Sequence, residues 1–199
     1  MSLIGCKEQL DKSTETILFT QDSLYKITFE KPLELDTFYS WKDEDDNVCS
    51  DEHKYRFSKK HFPVQKETGF FWTSFADSTY RLTIKHVEKY DCKLGMDHEN
   101  WSTRSEYMQR ILKRAKSDLE QIDTLFSDST EINGNNYILC AYKLNEHYKN
   151  EYKTNYIKAI TNIDSNLIVF TADCRARDCN DFIDRMNKSI RTIRIKRTK

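Results

Sequence analysis

The densest group of side chains that could hold a metal ion lies between residues 49 and 61. Histidine and cysteine are ligands that zinc and copper favour in proteins, and this segment contains Cys49, His53 and His61 beside Asp51 and Glu52. The intervals between the cysteine and the two histidines match no structural zinc pattern. We therefore predict no metal and no cofactor, although a metal-binding protein or enzyme that uses this segment stays open as an alternative.

Four consecutive acidic residues, Asp43, Glu44, Asp45 and Asp46, form a second group of potential cation ligands. An EF-hand calcium loop needs alternating acids, a central glycine and a distal glutamate. This run lacks both the alternation and the glycine. We therefore predict a solvated acidic surface that could face a binding partner.

The sequence contains no P-loop, dinucleotide-binding fingerprint, nucleophile elbow or HExxH motif. Cys92 and His98 could form a nucleophile–base pair, but such pairs arise by chance in a chain with 6 cysteines and 5 histidines. His86, between Lys85 and Val87 in an alternating segment, is predicted to face solvent. We therefore predict that the protein is not an enzyme.

Two cysteines close to the C-terminal end could form a disulfide bond. Cys174 and Cys179 flank the sequence Arg-Ala-Arg-Asp, across a predicted strand-to-helix turn. A disulfide at this position would suit an oxidising compartment. Two reduced thiols are the alternative, because pairing cannot be read from one sequence.

The N-terminal residues Leu3-Ile4-Gly5-Cys6 resemble a bacterial lipobox, in which the cysteine becomes lipid-modified. Residues 1–15 are otherwise polar and fit a tether, and residues 16–199 are expected to form a single globular domain. The basic and apolar regions of a signal peptide do not precede the box. We therefore expect the chain to begin just before the mature N-terminus and Cys6 to carry a lipid anchor.

Period-two alternation and turn residues predict eight strands in the domain. The predicted strands cover residues 16–19, 24–32, 70–75, 80–87, 136–144, 155–163, 166–171 and 189–196. Residues 37–62 mix aromatic and acidic side chains and are predicted to be irregular, with one short strand. Residues 103–126 carry a capping box and an apolar stripe at helical spacing, and a second helix is predicted around Phe182, Ile183 and Met186.

The aromatic segment around Phe71 and Trp72 is the strongest candidate for a binding surface. Adjacent residues in a regular strand point to opposite faces of the sheet, so Phe71 and Trp72 cannot both lie in the core. One of them is expected to be exposed or covered by residues 37–62. Together with the acidic run 43–46, this segment is the predicted binding surface.

Three segments stand out together with the order of the elements. They are Tyr25-Lys26-Ile27-Thr28-Phe29-Glu30-Lys31-Pro32, Asn133-Gly134-Asn135-Asn136-Tyr137, and Phe182-Ile183-Asp184 with Ser189-Ile190. This layout resembles the PsbP-like fold, which occurs in a photosystem extrinsic subunit, a Ran-binding import factor and DcrB-type bacterial lipoproteins. The resemblance implies an α+β fold, with a central antiparallel sheet and helices packed on its faces (an α/β/α sandwich). The family has no common catalytic residues, so the resemblance implies none here.

Charge and hydropathy limit the classes of partner that the sequence predicts. The net charge is +0, and no apolar stretch approaches the roughly 18 residues that a membrane span needs. The basic residues near the end of the chain alternate with Ile193 and Ile195, as on the exposed side of a strand, so we predict no nucleic-acid partner. Those basic residues are Arg191, Arg194, Lys196, Arg197 and Lys199.

These features predict a membrane-anchored lipoprotein of the bacterial cell envelope, periplasmic or surface-exposed. It would contact the membrane through its lipid anchor and act by binding an envelope protein. Two alternatives stay open. One is a small envelope enzyme or metal-binding protein that uses residues 49–61, and the other is an immunity-type protein whose acidic run binds a basic toxin.

Overall fold

The computed structural model describes residues 13–20, 23–43, 52–59, 79–87, 121–145, 154–164, 166–175 and 179–198. Within these ranges the chain forms ten strands and one helix. They are β1 (Ser13–Phe19), β2 (Tyr25–Pro32), β3 (Thr37–Asp43), β4 (Glu52–Ser58), β5 (Thr79–Val87), β6 (Gln121–Ile132), β7 (Asn135–Asn145), β8 (Thr154–Ile163), β9 (Asn166–Arg175), α1 (Cys179–Ile190) and β10 (Arg194–Arg197).

The strands form two antiparallel sheets. The larger sheet has seven strands in the order β3-β4-β5-β9-β8-β7-β6, and the smaller has three in the order β1-β2-β10. The β6–β7 hairpin turns at Asn133 and Gly134, whose φ angles are 50° and 84°. Two successive residues with positive φ match the twist of the flanking strands, and Asn-Gly is a favoured pair for such a turn.

The main hydrophobic core lies between the two sheets. Alternate residues of β2 point into it, and Tyr25, Ile27 and Phe29 are buried. The Phe29 ring meets the rings of Phe57 in β4 and Phe170 in β9 edge to face, with centroid distances of 5.8 and 6.4 Å. One strand of the small sheet thus packs against two strands of the large one.

Helix α1 completes this core. The Phe182 ring lies edge to face with Tyr80 of β5 at 5.4 Å, and the Ser189 hydroxyl donates a hydrogen bond to the carbonyl of Glu30. Arg185 forms an ion pair with Glu34 at 2.7 Å, just after β2. These contacts hold the helix against both sheets.

The predicted fold class is wrong for the described part of the chain. An α/β/α sandwich needs one sheet with helices on both faces, whereas these residues form two sheets and a single helix. Residues 103–120 of the predicted long helix lie outside the described residues. Residues 121–126 belong to β6, which pairs with β7 from Gln121↔Asn145 onwards, so strand pairing overrides the helical spacing of Ile122 and Phe126.

Of the other predicted elements, most are confirmed, two differ from the structure, and one lies outside the described residues. The predicted strands at 16–19, 24–32, 80–87, 136–144, 155–163 and 166–171 are confirmed, and so is the helix around Phe182. The irregular structure predicted for 37–62 is wrong where the segment is described, because it forms β3 and β4. The last predicted strand starts too early, since α1 runs to Ile190 and β10 begins only at Arg194. The strand predicted at 70–75 lies outside the described residues.

In the described part of the chain, no helix combines the length and apolar character that crossing a membrane requires.

Candidate functional site

The edge of the seven-stranded sheet carries a cluster of aromatic and basic side chains on the face turned away from the main core. In β4, Tyr55 and Phe57 are buried, so Arg56 between them points to the other face. The cross-strand register places Tyr39 opposite Arg56 and Trp41 opposite Lys54. We call Tyr39, Trp41, Arg56 and their neighbour Thr83 the aromatic–arginine surface.

The guanidinium of Arg56 is the centre of this surface. It lies 4.9 Å from the ring centroid of Trp41 and 5.8 Å from that of Tyr39. Arg56 Nη1 donates a hydrogen bond to the Tyr39 hydroxyl at 3.2 Å, and Nε donates one to Thr83 Oγ1 at 3.0 Å. The side chain is therefore held from two neighbouring strands.

The two aromatic rings of the surface are stacked. The centroids of Tyr39 and Trp41 are 5.4 Å apart, with an angle of 20° between the ring planes. Both side chains are partly exposed, as is Arg56. Tryptophan, tyrosine and arginine dominate the residues whose loss costs most at protein interfaces. This group therefore forms a rigid, partly exposed platform that suits a protein partner.

The residues predicted to form the binding surface lie almost entirely outside the described part of the chain. This holds for Glu44, Asp45, Asp46, Phe71 and Trp72, and for the predicted lipidation site Cys6. Asp43 is the last residue of β3, where its backbone pairs with Glu52. The acidic run therefore begins at the strand that carries Tyr39 and Trp41, and the rest of the prediction stays a prediction.

The potential metal-ligand segment, residues 49–61, also lies partly outside the described residues. Cys49, Asp51 and His61 lie outside the described residues, and His53 points into the core from β4 with 5% of its surface exposed. Its direct cross-strand neighbour is His86 of β5. Among the described residues, no group of three or more His, Cys, Asp or Glu side chains is placed to hold a metal ion.

The prediction that His86 faces solvent is wrong, because the residue is 0% exposed. It has the same strand parity as Leu82 and Ile84, which also lie in the core, whereas Lys85 points to the other face. The imidazole meets the ring of Tyr25 edge to face at 5.8 Å. Strand parity, and not the polarity of histidine, decides its position.

Tyr25 also organises hydrogen bonds at this end of the core. Its hydroxyl donates to the carbonyl of Ile163 at 3.1 Å and accepts a hydrogen bond from Asn166 Nδ2 at 3.0 Å. The β8–β9 hairpin is thereby joined to β2 of the small sheet. Buried polar groups that are satisfied in this way fix how elements pack, so we assign this cluster a structural role.

A disulfide bond joins Cys174 and Cys179, with a Cα–Cα distance of 5.5 Å. Both residues are buried, at the end of β9 and the start of α1. The bond ties the seven-stranded sheet directly to the helix. Cys140 is also buried, beside Tyr142 and Ile160 in a second cluster of apolar side chains.

Burial shifts the pKa of Lys31 and that of Tyr137. It lowers the pKa of Lys31 because desolvation disfavours the ammonium, while the carboxylates of Asp36 and Glu34 act in the opposite direction. It raises the pKa of the Tyr137 hydroxyl well above the ordinary value because the phenolate would lose its hydration. Neither group belongs to the aromatic–arginine surface.

Comparison with known proteins gives a fold and no function. No protein-family model matches the chain, and no curated protein matches it in sequence. The solution structure of cyanobacterial PsbP (CyanoP) from Synechocystis sp. PCC 6803 is similar, with a TM-score of 0.53 and 13% identity over 93% of this chain and 94% of that one. The chain therefore has a PsbP-like fold.

A second similar structure is that of PA94, a protein of unknown function from Pseudomonas aeruginosa. Its TM-score is 0.40 and its identity 11%, over 89% of this chain and 94% of that chain.

Sequence reasoning did not find the aromatic–arginine surface, although a signal was present. In residues 53–57, His53, Tyr55 and Phe57 alternate with Lys54 and Arg56, which is the period-two pattern of a half-buried strand. The acidic run next to this segment favoured the prediction of irregular structure. The pairing of β3 with β4 then brings Tyr39 and Trp41 beside Arg56.

Proposed function

We propose that the protein is a non-enzymatic, lipid-anchored protein of the bacterial cell envelope that acts by binding another protein. The aromatic–arginine surface carries this proposal. Its tryptophan, tyrosine and arginine are held rigidly by stacking and by hydrogen bonds from β3 and β5. A platform ordered before the partner arrives loses little conformational entropy on binding.

Two features support the envelope as the place of action. Leu3-Ile4-Gly5-Cys6 resembles a lipobox, and lipid attachment there would tether the domain to a membrane. The Cys174–Cys179 disulfide supports an oxidising compartment, because disulfides persist outside the reducing cytosol. The resemblance to DcrB-type lipoproteins, which share the PsbP-like fold, agrees with both.

A pull-down with single substitutions tests the binding role. Trp41→Ala removes the ring that contacts Arg56, and Arg56→Ala removes the cation and its two hydrogen bonds. Each is expected to weaken capture of the partner at least tenfold, about 1.4 kcal/mol, because tryptophan and arginine are enriched among the few interface residues that contribute most to binding. The measurement is quantitative mass spectrometry of proteins co-purified from envelope extracts of the native organism.

Phe38→Ala is the matched control. Phe38 is an exposed aromatic residue in the same strand, but it has the opposite parity and contacts Phe57 at the core edge. The control should capture the partner as the unchanged protein does. If the Trp41→Ala and Arg56→Ala variants captured the partner as well as the Phe38→Ala control, a role of this surface in binding would be refuted.

Metabolic labelling tests the anchor separately. The full-length gene is expressed with a fatty-acid analogue, and we expect label on the protein that is absent from the Cys6→Ala variant. The variant should also leave the membrane fraction at high salt. Unlabelled protein would refute the anchor but not the binding surface.

A further inference from the structure

The three-stranded sheet exposes a face that the proposed protein-binding role does not use. Residues of β2 with the parity of Tyr25, Ile27 and Phe29 point into the core, so the residues between them point outward. The register with β1 and β10 identifies the other members of this outer face. We call it the three-strand face, and its residues are Glu15, Ile17, Phe19, Lys26, Thr28, Glu30, Arg194 and Lys196.

Two large apolar side chains stand on this face. Ile17 and Phe19 are each 52% exposed, and they lie two residues apart, so both point to the same side of β1. Leu18, between them, is buried in the core. The sequence of β1 is therefore apolar on both sides at this end, which is unusual for a strand with one face in solvent.

Basic side chains flank the two apolar ones. Phe19 lies opposite Lys26, and Lys26 lies opposite Lys196 on the far strand. Ile17 lies opposite Thr28, which in turn faces Arg194. The apolar half of the face is thus bordered by three cations contributed by two strands.

The acidic residues of the face are collected at its other end. Glu15 and Glu30 lie opposite each other, one strand repeat of about 6.8 Å beyond the row of Ile17 and two repeats beyond that of Phe19. The face therefore has an apolar and basic end and an acidic end. Only the first suits a negatively charged surface.

The position of β1 along the chain brings this face close to the proposed anchor. Ser13, the first residue of β1, lies seven positions after Cys6, and seven residues span at most about 25 Å. A compact domain of this length is about 40 Å across. A lipid on Cys6 would therefore hold β1 within reach of the bilayer surface.

We propose that the apolar and basic end of the three-strand face lies against an anionic lipid bilayer, with Ile17 and Phe19 entering the headgroup region. Lys26, Arg194 and Lys196 then meet lipid phosphates, and the acidic end with Glu15 and Glu30 lies farther from the surface. Basic and apolar side chains on one face are the combination by which proteins lie on membranes. The orientation rests on the anchor of the proposed function, whereas the contact itself does not.

Vesicle co-sedimentation of the unlipidated 199-residue chain tests the contact. We expect binding to phosphatidylglycerol vesicles at low ionic strength, loss of binding at high salt, and no measurable binding to phosphatidylcholine vesicles. The triple variant Lys26→Glu, Arg194→Glu, Lys196→Glu should lower the partition coefficient by at least about 100-fold, since each basic residue near such a surface contributes roughly fivefold.

The matched control places the same charge change elsewhere. Lys42, Lys188 and Arg191 are exposed and lie outside the three-strand face, and their joint replacement by glutamate alters the net charge equally. This variant should change the partition coefficient by less than about threefold. Equal losses in the two triple variants would overturn the proposal, because bulk charge would then explain the binding.

A double variant distinguishes contact with a bilayer from contact with a soluble acidic partner. Ile17→Ser with Phe19→Ser leaves the charge unchanged and should lower the partition coefficient about tenfold, since apolar area no longer enters the headgroup region. Unchanged partitioning of this variant, or no binding to anionic vesicles at all, would overturn the proposal. Because the chain carries no lipid in these experiments, failure of the Cys6 labelling leaves their outcome unaffected.

Discussion

Tyr137 is a buried polar residue whose contribution to stability can be measured. Its side chain is 2% exposed, and within the described residues its hydroxyl has no hydrogen-bond partner. A buried hydroxyl without a partner costs about 1–3 kcal/mol. We therefore predict that Tyr137→Phe raises the free energy of unfolding by about 1 kcal/mol, as measured by urea denaturation at neutral pH.

The raised pKa of Tyr137 predicts how the free energy of unfolding changes at alkaline pH. An unfolded tyrosine has a pKa near 10.0, and burial raises the pKa of Tyr137 in the folded protein. Above pH 10 the unfolded state therefore binds fewer protons than the folded state, so the free energy of unfolding falls as pH rises. The fall should be smaller in Tyr137→Phe than in the unchanged protein.

Comparing Tyr137→Phe with the unchanged protein removes the contributions of other groups that titrate at alkaline pH. Lys31 has a lowered pKa in the folded state, so in the window below its ordinary pKa its contribution to stability rises with pH. That contribution is common to both proteins and cancels in their difference. Parallel pH profiles would contradict the assigned role of Tyr137.

At the scale of elements, the junction between β9 and α1 depends on a covalent bond. Cys174 and Cys179 close a short loop between the large sheet and the helix. We predict that Cys174→Ala with Cys179→Ala lowers the free energy of unfolding by about 2 kcal/mol, the value expected for a loop of this length. Urea denaturation with and without a reductant measures it.

The reductant provides the control for this prediction. It should destabilise the unchanged protein by a similar amount and leave the double variant unaffected. A single replacement of the buried Cys140, which lies in the second apolar cluster, should preserve the sensitivity to reductant. An unchanged protein that is insensitive to reductant would contradict the prediction.

Strands that are rich in apolar residues and end at turn residues were predictable from sequence, and those beside the acidic run were not. β8 and β9 meet at a turn at Asp164, whose φ of 51° suits aspartate. In β3 and β4 aromatic and charged side chains are mixed next to the acidic run, a composition that favours irregular structure. The burial of His86 was missed for a related reason, because residue polarity was given more weight than strand parity.

The two-sheet arrangement could not be derived from local patterns. The sequence of Arg194–Arg197 indicates a strand, but its pairing with β2 joins residues more than 160 positions apart. Local periodicity carries no information on such a partner. The aromatic–arginine surface depends on pairing in the same way, since Tyr39 and Arg56 meet only because β3 lies beside β4.

At the scale of the whole molecule, a continuous core joins the two sheets. Phe29 in the small sheet contacts Phe57 and Phe170 in the large one. We predict that Phe29→Ala lowers the free energy of unfolding by about 3–5 kcal/mol, because it leaves a cavity at this junction. Denaturation followed by far-ultraviolet circular dichroism and by tryptophan fluorescence should give one coincident transition.

Ile17→Ala is the control for this variant. Ile17 belongs to the same small sheet but is half exposed, so its truncation should change the free energy of unfolding by no more than about 0.5 kcal/mol. Two separate transitions in the Phe29 variant would show that the sheets unfold independently.

The pairing of β2 with both β1 and β10 has a consequence for biosynthesis. The ribosome synthesises residues 13–32 early and residues 194–197 late, so β2 cannot pair with β10 during almost all of translation. Until then one edge of β2 offers unpaired backbone groups to any passing strand. Closing so long a loop is also slow, which makes the nascent chain a natural client for a chaperone that shields that edge.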